Sequence, residues 1–260
     1  MTYFFSDLDN TLVYSHRVSL PGERIAVEYL NDHIQSYMTK KTYDFFSKSI
    51  GVFLIPTTTR TCEQYARLSE TFARFGCRYA LVCNGGILLD NNEIDLEWLS
   101  ETKRIAGDEL SDLKEASELF LRLFQKENIH YVNNIMLYAK TDTPALDAVR
   151  LTSILNTKSL NVYFDSRKVY CIPASINKGN AMKRFSNRMG ITRTIAAGDS
   201  IPDIPMLGIS DLAILPYNLS NSVEHVRKSV AENSQCFSDY ICDVLSEIVS
   251  PFRGSIPNSV

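Results

Sequence analysis

Two carboxylates, Asp7 and Asp9, stand one residue apart at the end of the apolar run Tyr3-Phe4-Phe5, and Thr11 follows them. Side chains alternate along an extended backbone, so both carboxylates leave the strand end on one side. Held that close they repel, and a divalent cation between them relieves the repulsion. Such a pair can also divide labour, one carboxylate attacking a phosphorus atom while the other moves a proton to the leaving group and then off the attacking water.

Three later segments carry complementary chemistry. Val52-Phe53-Leu54-Ile55 reads as a short buried strand followed by Thr57-Thr58-Thr59-Arg60, where the pattern turns helical. A hydroxyl at a strand end beside helix-start N–H groups suits a phosphoryl oxygen. Lys178 opens a helix ending near Gly190, and a lysine there is disfavoured by the helix dipole unless an anion shares the space. In Gly198-Asp199-Ser200-Ile201-Pro202-Asp203 the glycine permits a sharp exit from a strand and two further carboxylates return towards the first pair. Magnesium, which prefers six oxygen ligands, fits such a set. Taken singly, each segment has a plainer reading as a solvated turn, a helix cap or a surface lysine. Four in this order, each at a strand end or helix start, point to one site.

The four segments resemble the motifs of the haloacid dehalogenase superfamily of phosphohydrolases. The resemblance implies that Asp7 is the nucleophile forming an aspartyl-phosphate and a magnesium ligand. Asp9 would be the general acid and base and lend its backbone carbonyl to the metal. Thr58 and Lys178 would hold the phosphoryl oxygens, Asp199 would bind the metal directly, and Asp203 directly or through water. Thr59 stands where many relatives have glycine, which leaves the phosphate-binding hydroxyl open among Thr57, Thr58 and Thr59. Expulsion of an alkoxide needs a proton, so an acid at position 9 favours phosphatase or phosphomutase over dehalogenase. The alternatives are a phosphomannomutase-like phosphomutase and, in another class, a non-catalytic sugar-phosphate-binding regulatory protein.

The remaining sequence must position these groups. The chain has 260 residues, 45% of them apolar, and a net charge of −3 without a basic run, which excludes a nucleic-acid partner on electrostatic grounds. No segment has membrane-spanning length, the first strand leaves no room for a signal peptide, and six cysteines without metal or disulfide spacing fit a reducing cytoplasm. Strands are expected at 3–8, 51–55, 79–83, 192–197 and 211–215, with helices at 40–49, 60–75 and 178–189 and two closing helices. A β-hairpin over 24–39, turning at Asn31-Asp32-His33, takes the place of the superfamily's flap. This alternation implies an α/β fold, a Rossmann-like parallel-sheet core spanning 1–84 and 173–260. Residues 85–172 form an inserted α+β domain with helices at 101–126 and 144–156 and strands at 129–140, 159–165 and 168–172. The insert resembles the type 2 cap of Cof-like and sucrose-phosphatase-like phosphatases, which implies a small phosphorylated metabolite, typically a sugar phosphate, as substrate. Arg60, Asn84 and Asn180 are core candidates for substrate contact. Tyr138, Lys140, Arg167, Lys168 and Tyr170 are the cap candidates.

Overall fold

The computed structural model describes residues 2–48, 51–165 and 167–249. The chain opens with β1 (Thr2–Ser6), a short β2 (Tyr14–Ser15), β3 (Arg24–Leu30), β4 (His33–Thr39) and α1 (Lys40–Lys48). It continues through β5 (Val52–Pro56), α2 (Cys62–Ala66), α3 (Ser69–Arg74), β6 (Tyr79–Val82), β7 (Ile87–Asp90), β8 (Glu93–Ile94) and α4 (Leu96–Ala106). Next come α5 (Glu109–Leu123), β9 (Ile129–Val132), β10 (Met136–Lys140), α6 (Pro144–Ile154), β11 (Leu160–Asp165) and β12 (Lys168–Pro173). The chain then returns with α7 (Lys178–Met189), β13 (Thr194–Ala197), α8 (Ile204–Ile209), β14 (Leu212–Pro216), β15 (Lys228–Ala231) and α9 (Phe237–Val249).

The core is an α/β Rossmann-like sheet of five parallel strands in the order β15-β14-β13-β1-β5. β1 lies between β13 and β5, and its Phe4 and Phe5 are fully buried on opposite faces, which is why the strand reads as unbroken apolar sequence. The carboxyl ends of β1, β5 and β13 therefore converge on one edge. Backbone N–H groups carry the ladder just beyond it, Asp7 donating to Ala197 O at 2.9 Å and Thr57 to Ser6 O at 2.7 Å.

The insert carries a second, antiparallel sheet ordered β11-β12-β10-β9. Alternation gives it two distinct faces. Leu137, Ala139, Val169 and Cys171 pack with Leu113, Phe120 and Leu151 from α5 and α6. Met136, Tyr138, Tyr170 and Ile172 point the other way and join the core cluster around Leu8 and Leu12.

Several elements depart from the expectations above. The helix at 101–126 is two helices, α4 and α5, because Gly107 takes φ +46° and breaks the run. The strand at 129–140 is the hairpin β9–β10, turned by Asn133 and Asn134 at φ +48° and +59°. The helix at 60–75 is α2 and α3, α2 starting at an N-cap Thr61 with a Gln64 capping box. β6 is not a regular member of the parallel sheet: it pairs antiparallel with β7, and one parallel bridge, Thr57 to Leu81, ties it to the core. This hairpin crosses position 84/85, and Trp98 of α4 packs with Phe5 and Phe185 of the core. In place of two closing helices, the described residues after β14 form a short 3₁₀ turn, β15 and α9.

Candidate active site

Asp7 follows β1 and is 5% exposed. Lys178, the first residue of α7, is 1% exposed and places Nζ 2.5 Å from Asp7 Oδ1 and 2.6 Å from Asp203 Oδ1. The buried cation that the helix dipole disfavours is thus held between two carboxylates. Gly179, next along α7, has no room for a side chain, since a Cβ there would lie 2.4 Å from Pro205 O. That close approach lets α7 pack on α8 and brings Lys178 to the site.

Asp203 is fully buried, and its Oδ2 accepts from the backbone N–H of Asp199 and Ser200 and from Ser200 Oγ, at 2.9–3.1 Å. These bonds shape the loop that presents Asp199, whose Oδ1 accepts from Thr11 Oγ1 at 3.0 Å. Gly198 makes the fold of this loop possible: a Cβ at 198 would meet Asp203 Cβ and Cγ at 2.4 Å. Gly198→Ala should therefore displace Asp203 and cost turnover at least about 10²-fold, given how steeply catalysis falls with about 1 Å of misplacement. Steady-state kinetics on the folded variant would measure this.

Asp7, Asp199 and Asp203 each offer an oxygen within 4.8 Å of the others. One lysine does not balance three carboxylates. Burial, together with Asp203, Asp199 and Asp9, pushes Asp7 well above the usual carboxylate range against the pull of Lys178. Burial and Asp203 push Asp199 up to about 7. A crowded, oxygen-only donor set with unmet negative charge can hold a hard divalent cation.

Asp9 lies in a different electrostatic setting. Partial burial pushes its pKa up, but Arg60 outweighs this by charge and two hydrogen bonds, Nε to Oδ2 and Nη2 to Oδ1, both 2.8 Å, so Asp9 sits below the ordinary range. The other edge of the Arg60 guanidinium donates to Glu28 Oε1 and Oε2, each at 3.0 Å. Glu28 is 2% exposed and also accepts from Arg67 Nε at 2.8 Å and Ser36 Oγ at 2.6 Å. Arg60 is thus a buried bridge between the strand-end carboxylate and the β3–β4 hairpin.

Among the three threonines, Thr57 Oγ1 donates back to Ile55 O at 3.1 Å, whereas Thr58 Oγ1 accepts from Arg60 N at 3.2 Å and has no acceptor for its own proton among the described residues. Asn84 is fully buried at φ +59°, and its amide donates to Ile176 O at 3.0 Å, tying the end of β6 to the approach to α7. Asn180 is exposed, donates to Ser175 O at 2.9 Å, and lines a separate cavity of about 270 Å³ between α4 and α7. No hydrogen bond joins Asn84 or Asn180 to the carboxylate cluster among the described residues.

Two contributors carry little sequence signal. Thr11 belongs to the first motif but gives no hint of its Asp199 partner, 188 positions away. Glu28 reads as one polar residue of an alternating hairpin. A register shift on either side of it lets Val27 and Glu28 both be buried, so alternation misplaces it.

Comparison with known proteins identifies the family and the fold. The family model of haloacid dehalogenase-like hydrolases matches residues 53–235. A phosphoglycolate phosphatase of Methanothrix thermoacetophila is 27% identical over 172 residues, covering 62% of this chain and 68% of that protein. Solved structures that share the fold include the following two. The sucrose-phosphatase of Synechocystis sp. PCC6803 has a TM-score of 0.62 at 17% identity, covering 97% of this chain and 98% of its own. A haloalkanoate-superfamily phosphatase of Bacteroides thetaiotaomicron has a TM-score of 0.60 at 12% identity, covering 95% and 94%. The chain belongs to the haloacid dehalogenase-like hydrolases.

Proposed function

We propose that the protein is a magnesium-dependent phosphomonoesterase that acts on a small phosphorylated metabolite through an aspartyl-phosphate on Asp7. The observation that carries this reading is the buried Lys178 held between Asp7 and Asp203, with Asp199 beside them and Asp9 placed separately against Arg60. Asp7 attacks phosphorus, a bond forms from its carboxylate oxygen, and the bond to the leaving alkoxide breaks. Asp9 gives that alkoxide its proton and then takes one from the water that hydrolyses the acyl phosphate. Lys178 and the Thr58 hydroxyl neutralise and orient the phosphoryl oxygens. Asp7, Asp199, Asp203 and the Asp9 carbonyl would hold magnesium, which would supply charge neutralisation at the transferring group. The insert from α5 to β12 serves as the cap, with Tyr138 OH accepting from Gln64 Nε2 of the core at 3.5 Å.

As paired in this structure, Arg60 holds Asp9 ionised, the form that accepts a proton in the second step; to serve as the acid in the first, Asp9 must leave that pair and take up a proton. Asp9→Asn should slow hydrolysis of alkyl phosphates about 10²–10⁴-fold. With p-nitrophenyl phosphate, whose leaving group needs no proton, the variant should show a burst of nitrophenolate followed by slow turnover. Stopped-flow absorbance would reveal that burst, and its absence would remove Asp9 from the second step.

The metal assignment makes a stability prediction. A carboxylate whose folded pKa is raised loses stability as pH rises from its unfolded value of about 4 towards its folded value, about 7 for Asp199. Metal-free protein should therefore lose stability across that window. Magnesium at 100 times its Kd should restore about 2.7 kcal/mol, a Tm rise of about 5–10 °C, and one fixed magnesium concentration should restore more at pH 8 than at pH 5. Calorimetry with EDTA or magnesium checks this. The activity itself is tested by magnesium-dependent phosphate release from a panel of sugar and small-metabolite phosphates. Absence of release from all of them would reject it.

A further inference from the structure

The open face of the four-stranded sheet carries a cation that the reaction scheme does not use. Lys168 begins β12, and the register sets Lys140 of β10 and Asp165 of β11 directly opposite it. Tyr138 and Tyr170 lie on the same face two residues along. Tyr138 belongs to the apolar cluster shared with the core and reaches Gln64, so this face is turned towards the catalytic strand ends. Charge confirms the direction. Lys168 and Asp9 act on one another electrostatically, and Tyr163 of the same face is influenced by Lys178 and Asp203.

Lys168 is half-buried and poorly satisfied. Its ammonium stands 5.4 Å from the Tyr138 ring centroid and 5.7 Å from that of Tyr170, and it forms no hydrogen bond or ion pair among the described residues. Asp165 does not neutralise it: that carboxylate accepts from Tyr170 OH at 2.7 Å and from Arg167 N at 3.0 Å. The cross-strand partner Lys140 has the same charge, and like charges directly opposite destabilise a sheet. Burial pulls the Lys168 ammonium below the usual lysine range, with Arg60 and Lys140 adding to the effect and Asp165 and Asp9 opposing it. A half-buried cation facing a like charge, with no acceptor of its own, is a position that an anion would complete.

Building on the phosphomonoesterase chemistry above, we propose that Lys168 binds an anionic oxygen group on the leaving-group side of the substrate. The preferred substrates are then small phosphomonoesters whose alcohol carries a negative charge, a carboxylate or a second phosphate, and neutral sugar phosphates are second choice. Tyr138 and Tyr170 frame the ammonium and limit how long the leaving group can be. Lys168 is a specificity residue, since Asp7 and Asp9 perform the chemistry.

The test pairs 2-phosphoglycolate with its neutral counterpart 2-hydroxyethyl phosphate, and fructose 1,6-bisphosphate with fructose 6-phosphate. Wild type should favour at least one anionic member by 10-fold or more in kcat/KM, and which pair shows the larger ratio separates carboxylate from phosphate. Lys168→Met should collapse that ratio to below about 3-fold, the loss in kcat/KM falling more heavily on the anionic member of each pair than on its less charged counterpart. Lys168→Arg should keep most of the preference. Equal kcat/KM within both pairs in wild type, or an equal loss on charged and neutral substrates in Lys168→Met, would overturn the inference. Calorimetric binding of the same compounds to Asp7→Asn, with and without Lys168→Met, needs no turnover. A charge preference there, lost with Lys168, would sustain the inference even if hydrolysis failed and the phosphatase reading fell. Binding without charge preference would sink it.

Discussion

Asp7→Asn should abolish phosphate release, by at least about 10⁴-fold in kcat, while the protein stays folded. The amide has nearly the shape of the carboxylate but is no nucleophile at phosphorus, so what survives reflects binding and charge neutralisation alone. Stability should not fall. Asp7 shares its surroundings with Asp203, Asp199 and Asp9, and burial and those neighbours hold its pKa high. Removing one negative charge relieves that crowding, while Lys178 keeps Asp203 at 2.6 Å. Metal-free Asp7→Asn should therefore melt at or above the wild-type temperature. Thermal unfolding and phosphate release on the same preparation separate lost chemistry from lost fold. A variant that is inactive because it is unfolded would contradict this account.

Lys178→Met should have the largest effect on stability. It leaves Asp203, fully buried, and Asp7, 5% exposed, without the one cation between them. Breaking a buried ion pair from one side costs about 3–5 kcal/mol, or about 6–20 °C in Tm for a chain of this size. The sign with pH follows from the carboxylates left behind. Burial holds the Asp7 carboxyl well above the usual range, and a protonated carboxyl needs no counter-charge, so the loss should be smaller at acid pH and grow as pH rises. Magnesium should restore part of the stability and none of the turnover, because it supplies charge to the cluster and cannot take Lys178's place on the phosphoryl oxygens. A pH-independent loss would mean that Lys178 matters for packing alone.

The core was legible because its signals are local. A buried parallel strand reads as an apolar run, and the groups at its end follow within a few residues, as in Phe4-Phe5 before Asp7 and Ile55 before Thr57 and Thr58. The assembly of Asp7, Lys178, Asp199 and Asp203 also followed from strand order, since parallel strands deliver their carboxyl ends to one edge. The flap hairpin was legible for the same reason: Asn31 and Asp32 both take positive φ, +50° and +62°, and these residue types tolerate it. Breaks inside long periodic segments were less legible. The apolar spacing of 101–126 continues across Gly107, and only the backbone at φ +46° shows the break. The β9–β10 turn, with Asn133 and Asn134, lies inside a segment of otherwise strand-like composition. Hidden altogether were partnerships between distant residues. Nothing near Arg60 announces that it joins Asp9 to Glu28, whose burial is hidden by the bulge that interrupts the alternation of the hairpin. Lys168 stands among the cap candidates on sequence, but only the register shows that its cross-strand partner is the like-charged Lys140.

The most direct test of the central claim is to quench the reaction in acid during steady turnover with magnesium and examine the proteolysed protein by mass spectrometry. The account predicts one phosphoryl group on the peptide containing Asp7, labile to base and absent from Asp7→Asn. Undiminished phosphate release with that peptide unmodified, together with wild-type turnover in Asp7→Asn, would contradict it.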